Sequence, residues 1–206
     1  MGFVKKHDKP YFQDRRSIKR DYEGLKKQLN DPDPSVRRWA AKDIVSYSGA
    51  SLALVERLKK EPCRDVREAI FTSLIHIKDE VALEGLIECL RSEEASVRNE
   101  SIEAIKLLSE EAEPLMKRLL HDADTDVRIF AVNIMESLKH PDVEDWLIDV
   151  LNRDTDINVC ASAADLLAEV GTEKSIKPLK GLLDRFSEEP YIKFVVETAI
   201  RRISNE

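Results

Sequence analysis

Glycine is scarce in this chain, with six in 206 residues. They form no glycine-rich phosphate loop. Beside 35% charged and 42% apolar residues they read as long helices with short connections. Cysteine is scarcer still. Cys63, Cys89 and Cys160 make no Cys-x-x-Cys pair and are odd in number, which argues for reduced, buried thiols in a cytoplasmic protein. No apolar run approaches the ~18–20 residues of a membrane span, and the opening residues do not read as a secretory signal. Met1-Gly2 lacks the Ser or Thr that myristoylation needs, because Lys6 stands there. The histidines (His7, His76, His121 and His140) are scattered, and neither HExxH nor a nucleophile elbow occurs. These gaps predict no catalytic residues, no metal and no cofactor. Basic residues do not dominate either: 33 Lys+Arg face 40 Asp+Glu, a formal net charge of −7. Residues 1–30 hold nine of the basic and four of the acidic side chains. The remaining body is acidic and repels phosphate backbones, so nucleic acid is disfavoured as a partner.

What the chain does contain is a repeat. Val36-Arg37, Val66-Arg67, Val97-Arg98 and Val127-Arg128 stand 30, 31 and 30 residues apart, and Val159-Cys160 and Ile192-Lys193 continue the series at 32 and 33. Each pair opens a helix whose apolar residues recur at i, i+4 and i+8, as in Val36, Ala40 and Ile44 or Val66, Ile70 and Leu74. The first five are each followed by a second helix ending in leucines four apart, with Leu58, Leu90, Leu119, Leu151 and Leu183 as the last. Neither helix can bury its stripe alone, so hairpins must stack on one another. Ser17 is expected to cap a leading helix running to about Leu29, and a final helix to span about Glu189 to Ile203. The expected organisation is a basic, aromatic arm over residues 1–16 and a repeat solenoid over residues 17–206. Within the arm, Phe3, Tyr11 and Phe12 either cover the flank of the first repeat or touch a partner.

These segments resemble the HEAT family, in particular the short bacterial HEAT-like repeats also found in phycocyanobilin lyase subunits. The likeness lies in the pattern Asp-x-x-x-x-Val-Arg-x-x-Ala-x-x-x-Leu, as in Asp122 to Met135, and covers about residues 17–203. It implies an all-α, right-handed α-solenoid of about five to six helical hairpins. It also implies a structural ladder of arginines and loop acids. Here the arginine column is Arg37, Arg67, Arg98 and Arg128, followed by Cys160 and Lys193. The acidic column is Asp31, Glu61, Ser92, Asp122, Asp154 and Ser187. The ladder thins toward the C-terminus, and with it the expected order. HEAT-like hydroxylases carry paired His-Glu motifs, and none occurs here. Asp122-x-Asp124-x-Asp126 and Asp154-x-Asp156-x-Asn158 mimic the start of a calcium loop. Val127 and Val159 stand where that loop needs glycine, so helix capping is the expected role of these residues.

In arrays of this family the second helices line the concave side. Six and two residues before their last leucines stand Glu56, Glu84, Glu88, Glu113, Asp145 and Asp149, the candidate partner-binding residues. Trp146 lies beside them, either as an anchor for a partner or as packing against the neighbouring repeat. The expected function is a non-enzymatic protein-interaction scaffold or adaptor that holds a basic segment of a partner on an acidic concave face. Two alternatives stand: a phycobilin-lyase-like factor assisting chromophore attachment, which rests on the resemblance, and a nucleic-acid module using the N-terminal arm.

Overall fold

The computed structural model describes residues 19–204, except for the side chains of residues 109–113. The arm of residues 1–16 and the expected cap Ser17 lie outside that description. All regular secondary structure among the described residues is helical. The residues divide into two compact units that meet in sequence at Ile77 and Lys78.

The first unit contains α1 (Tyr22–Gln28), α2 (Pro34–Asp43), a 3-10 turn (Ile44–Ser46), α3 (Ala50–Leu58) and α4 (Arg64–Ile77). Its leading helix is shorter than expected. Asp21 caps it by accepting from the Gly24 amide at 2.8 Å, so α1 begins five residues after Ser17. Asp33 caps α2 through the Ser35 amide at 2.9 Å, and Pro34 occupies the first turn, where a missing N–H costs nothing. Val36, Ala40 and Ile44 pack beneath Val66, Ile70 and Leu74, and all six are buried. Beside Ile44 stands Asp43, which Arg20 meets in an ion pair, and the matching position of α4 is the buried Ser73, which donates to the Ala41 carbonyl. The carboxylate thus has a donor and stays partly wet.

The second unit contains α5 (Glu80–Cys89), α6 (Ala95–Lys106), α7 (Ser109–Leu119), α8 (Thr125–Met135), α9 (Val143–Arg153), α10 (Ile157–Val170), α11 (Glu173–Arg185) and α12 (Pro190–Ile203). The first helices α6, α8, α10 and α12 pack in succession, while α7 joins α8, α9 joins α10 and α11, and α11 joins α12. Val127, Ala131 and Met135, then Val159, Ala163 and Leu167, then Ile192 and Val196, form the buried seam. Ser101 falls in the same register with no exposed surface, and its hydroxyl donates to the Leu86 carbonyl. A buried hydroxyl without that acceptor would be costly.

Candidate partner-binding face

The loops before α2, α4, α6, α8 and α10 share one construction. A side chain at the head of each accepts the amide two residues on: Asp31 from Asp33 (2.9 Å), Glu61 from Cys63 (2.9 Å), Ser92 from Glu94 (3.2 Å), Asp122 from Asp124 (3.0 Å) and Asp154 from Asp156 (2.9 Å). Asp33, Asp124 and Asp156 then cap the helices that follow. The calcium-like spacing is therefore a pair of nested turns, with carboxylates aimed at backbone N–H groups.

Onto each loop folds the column arginine. Its Nη1 donates to the carbonyls six and five residues before it: Arg37 to Asp31 and Pro32, Arg67 to Glu61 and Pro62, Arg98 to Ser92 and Glu93, Arg128 to Asp122 and Ala123. Two of the arginines use the rest of the fork on the acid of the following loop. Arg37 grips Glu61 at 2.7 Å through both Nε and Nη2, and Arg128 grips Asp154 at 2.7 and 3.1 Å. Asp122 is met by Arg91 instead of Arg98. The Glu61 side chain has no exposed surface. Burial alone would raise its pKa, but hydrogen bonds from Arg37, Arg57 and the Cys63 amide outweigh burial and hold it at about 2. Burial opposes ionisation of Asp154 as well, yet Arg128 and the Asp156 amide leave it below its ordinary value. These contacts tie each loop to the helix that follows it and, through Arg37 and Arg128, to the next loop.

The second-helix residues divide. Glu56 is exposed on α3 of the first unit. In the second unit Glu84 and Glu88 on α5, and Asp145 and Asp149 on α9, are all exposed, each pair one helical turn apart. The side chain of Glu113 lies outside the described residues. Trp146 does not belong to the exposed set: only 8% of its surface is accessible. It stacks on His140 with ring centroids 4.9 Å apart, and Lys117 Nζ sits 5.7 Å from its centroid. Burying the large indole from α9 against the preceding connection makes it a packing residue. Nor is the acidic strip bare. Arg118 reaches Glu84 at 2.8 Å, Lys174 pairs with Asp145, and Arg153 donates to Asp149 at 2.7 Å through Nε. Arg153 is the first reason that Asp149 is held below its ordinary pKa. The face is a lattice of mixed charge laced from one second helix to the next.

A family described as HEAT repeats matches residues 22–106 and 112–200, most of the chain. The chain belongs to the HEAT-repeat family. No curated protein matches it. Among solved structures, TOG3 of Drosophila melanogaster Mini spindles is similar in fold, at 15% identity and a TM-score of 0.52 over 88% of this chain and 94% of that one. The complex of CpcE and CpcF of phycocyanin lyase from Nostoc sp. aligns at 19% identity and a TM-score of 0.38, covering 98% of this chain and 99% of that one. An engineered protein aligns at 22% identity and a TM-score of 0.43 over 90% and 99% of the two chains.

Two features of this HEAT-repeat chain escape a reading by columns. The first is the basic half of the lattice. Arg118, Arg153 and Lys174 fall outside the two indexed columns and reach their acids by the length of their own side chains. The second lies where Cys160 breaks the arginine column. Its Sγ still points at the Asp154 carbonyl, 3.3 Å away. The missing guanidinium is supplied by Arg185 at the end of α11, which donates to the carbonyls of Leu151 at 2.7 Å and Asp154 at 2.6 Å, and lies 3.3 Å from the Cys160 sulfur. The expected thinning of the ladder is thus made good at this repeat from another helix. Burial is the main reason that the Cys160 thiol is pushed up to about 11, which leaves it an inert packing group.

Proposed function

We propose that this HEAT-repeat chain is a non-enzymatic protein-interaction scaffold whose second-helix face takes a basic segment of a partner protein. The observation that carries the reading is the set of exposed carboxylates Glu84, Glu88, Asp145 and Asp149, held in pairs on α5 and α9. The cations that meet three of them sit on long exposed side chains. Such surface pairs contribute at most about 1 kcal/mol each, so an incoming lysine or arginine can displace Arg118 or Lys174 at little cost. Glu56 supplies the corresponding acid in the first unit, and Glu113 adds one on α7. In this reading residues 17–206 work as one array, with residues 1–16 as its cap or an additional contact arm.

The test uses the full chain and two immobilised peptide sets, Lys/Arg-rich and Asp/Glu-rich, at two salt concentrations. The chain should associate with the basic set, and the variant Glu84→Gln/Glu88→Gln/Asp145→Asn/Asp149→Asn should associate more slowly by about tenfold or more. Its melting temperature should stay near that of the wild type, and the difference in association should shrink as salt rises. Equal association by wild type and variant, or equal capture by the acidic set, would overturn the reading.

A further inference from the structure

One helix departs from the others on its outward side. One position before the column valine and two after it, α2, α4 and α6 carry Ser35 and Arg38, Asp65 and Glu68, Ser96 and Asn99, all exposed and polar, while α8 and α10 carry exposed Asp126 and Asn158 with half-buried Ile129 and buried Ala161. At the same two positions α12 carries Tyr191 and Phe194, which are 58% and 68% exposed. Single exposed apolar residues are ordinary, but two aromatics on adjoining turns of one face are not. Lys193 and Arg201 share the exposed side of the helix. Glu197 meets Lys193 at 3.9 Å, so the face is aromatic with Arg201 as its cation without an ion pair among the described residues.

Its counterpart adjoins α10, which packs directly against α12. Between α8 and α10 runs a groove of about 180 Å³ with Val132 and Leu166 beside Asn133, Glu136, Asp165 and Glu169. Lys106 stands 3.8 Å from Glu136 and Arg202 4.0 Å from Glu169, while Asp165 has no ion pair among the described residues. Arg201 has none among them either. One unit thus presents an aromatic helix face with the cation Arg201 and an acidic groove with the anion Asp165, over a buried floor of Val132 and Leu166, on the same row of first helices. A surface that carries both halves of a complementary pair satisfies a two-fold interface, in which each half meets the other half of a second copy.

We propose that the α12 face and the α8–α10 groove form a homodimer interface, with Tyr191 and Phe194 of each copy covered by the groove side of the other. The proposal is separate from the second-helix reading, since it uses the opposite helices and a different partner. Sedimentation equilibrium of the full chain over about two decades of concentration should show a monomer–dimer transition that weakens with salt. Tyr191→Ser/Phe194→Ser should shift the transition to concentrations about tenfold or more higher without lowering the melting temperature, because both side chains are exposed. Arg201→Glu and Asp165→Lys remove no ion pair seen among the described residues. Each alone should weaken the dimer by about tenfold, and an equimolar mixture of the two should restore it as a heterodimer, since both half-interfaces are then again of opposite sign. A wild-type monomer throughout the range overturns the proposal and leaves the α12 face to a different protein. An undiminished dimer in the Tyr191/Phe194 variant, or a mixture that stays monomeric, overturns it too.

Discussion

Glu61 stays ionised with its side chain wholly buried, and its electrostatics set an acid limit on the first unit. Its pKa is about 2 in the fold against an ordinary 4.5. A depressed carboxylate stabilises the folded state fully above its unfolded pKa and loses that contribution as the pH falls toward its folded value. The window therefore runs from about pH 4.5 down to 2, and the span corresponds to about 3 kcal/mol. Urea titrations at pH 7, 4.5 and 3 should show this loss in the wild type and much less of it in Glu61→Gln. Equal pH dependence in the two would show that Glu61 is not the sensor. The same residue ranks the ladder arginines. Arg37→Ala leaves the buried Glu61 carboxylate only Arg57 and the Cys63 amide as donors and should cost about 3 kcal/mol. Arg128→Ala leaves Asp154, whose side chain is only 8% exposed, with backbone donors such as the Asp156 amide and should cost about 1–3 kcal/mol. Among the described residues Arg98 serves only carbonyls, so Arg98→Ala should lie at the lower end of that range. A cost for Arg98 equal to that for Arg37 would mean that the carbonyl contacts, and not the acids, carry the ladder.

Helix ends decide how the elements meet, and they were readable only where the capping group is local. Asp33, Asp124 and Asp156 lie within three residues of the amides they satisfy, so spacing alone finds them. The start of α11 is different. Thr172 caps it, but Glu144 accepts from the Thr172 amide at 2.8 Å and from the Ser175 hydroxyl at 2.6 Å, reaching across from α9. Burial works against the Glu144 charge, yet these hydrogen bonds keep its pKa below the ordinary value. No local pattern announces a partner 28 residues away. The same holds for Arg185, and it explains why the ladder seemed to thin beyond Arg128. Trp146 was ambiguous for a related reason: its position on the helix was evident, but the depth of the wall built by His140 and Lys117 was not. Between α2 and α3 the chain turns at Gly49, whose φ of +82° is one that other residues rarely adopt. A Cβ there would also stand 3.1 Å from the Tyr22 hydroxyl, which donates to the Gly49 carbonyl. Gly49→Ala should cost about 1–2 kcal/mol in thermal unfolding. A neutral result would mean that the turn relaxes to negative φ.

Across the whole molecule, stability should be regional, because a repeat touches chiefly its neighbours. Hydrogen exchange should show Arg37→Ala loosening α2 to α4 while the amides of α8 to α10 keep their protection, and Arg128→Ala doing the reverse. Uniform acceleration throughout in either variant would mean one cooperative fold instead. The borrowed arginine adds a constraint that runs along the chain. Arg185 occupies the place that an arginine at position 160 would take, and both would converge on the Asp154 carbonyl. Restoring the repeat pattern by Cys160→Arg should therefore destabilise, by crowding two guanidiniums, while Cys160→Arg with Arg185→Ala should recover most of the loss. The two positions are epistatic: either order of exchange passes through a weaker protein, crowded if position 160 changes first and uncapped if 185 does. A substitution that averages the repeats would therefore harm the array at position 160, where the guanidinium already arrives from a neighbouring helix.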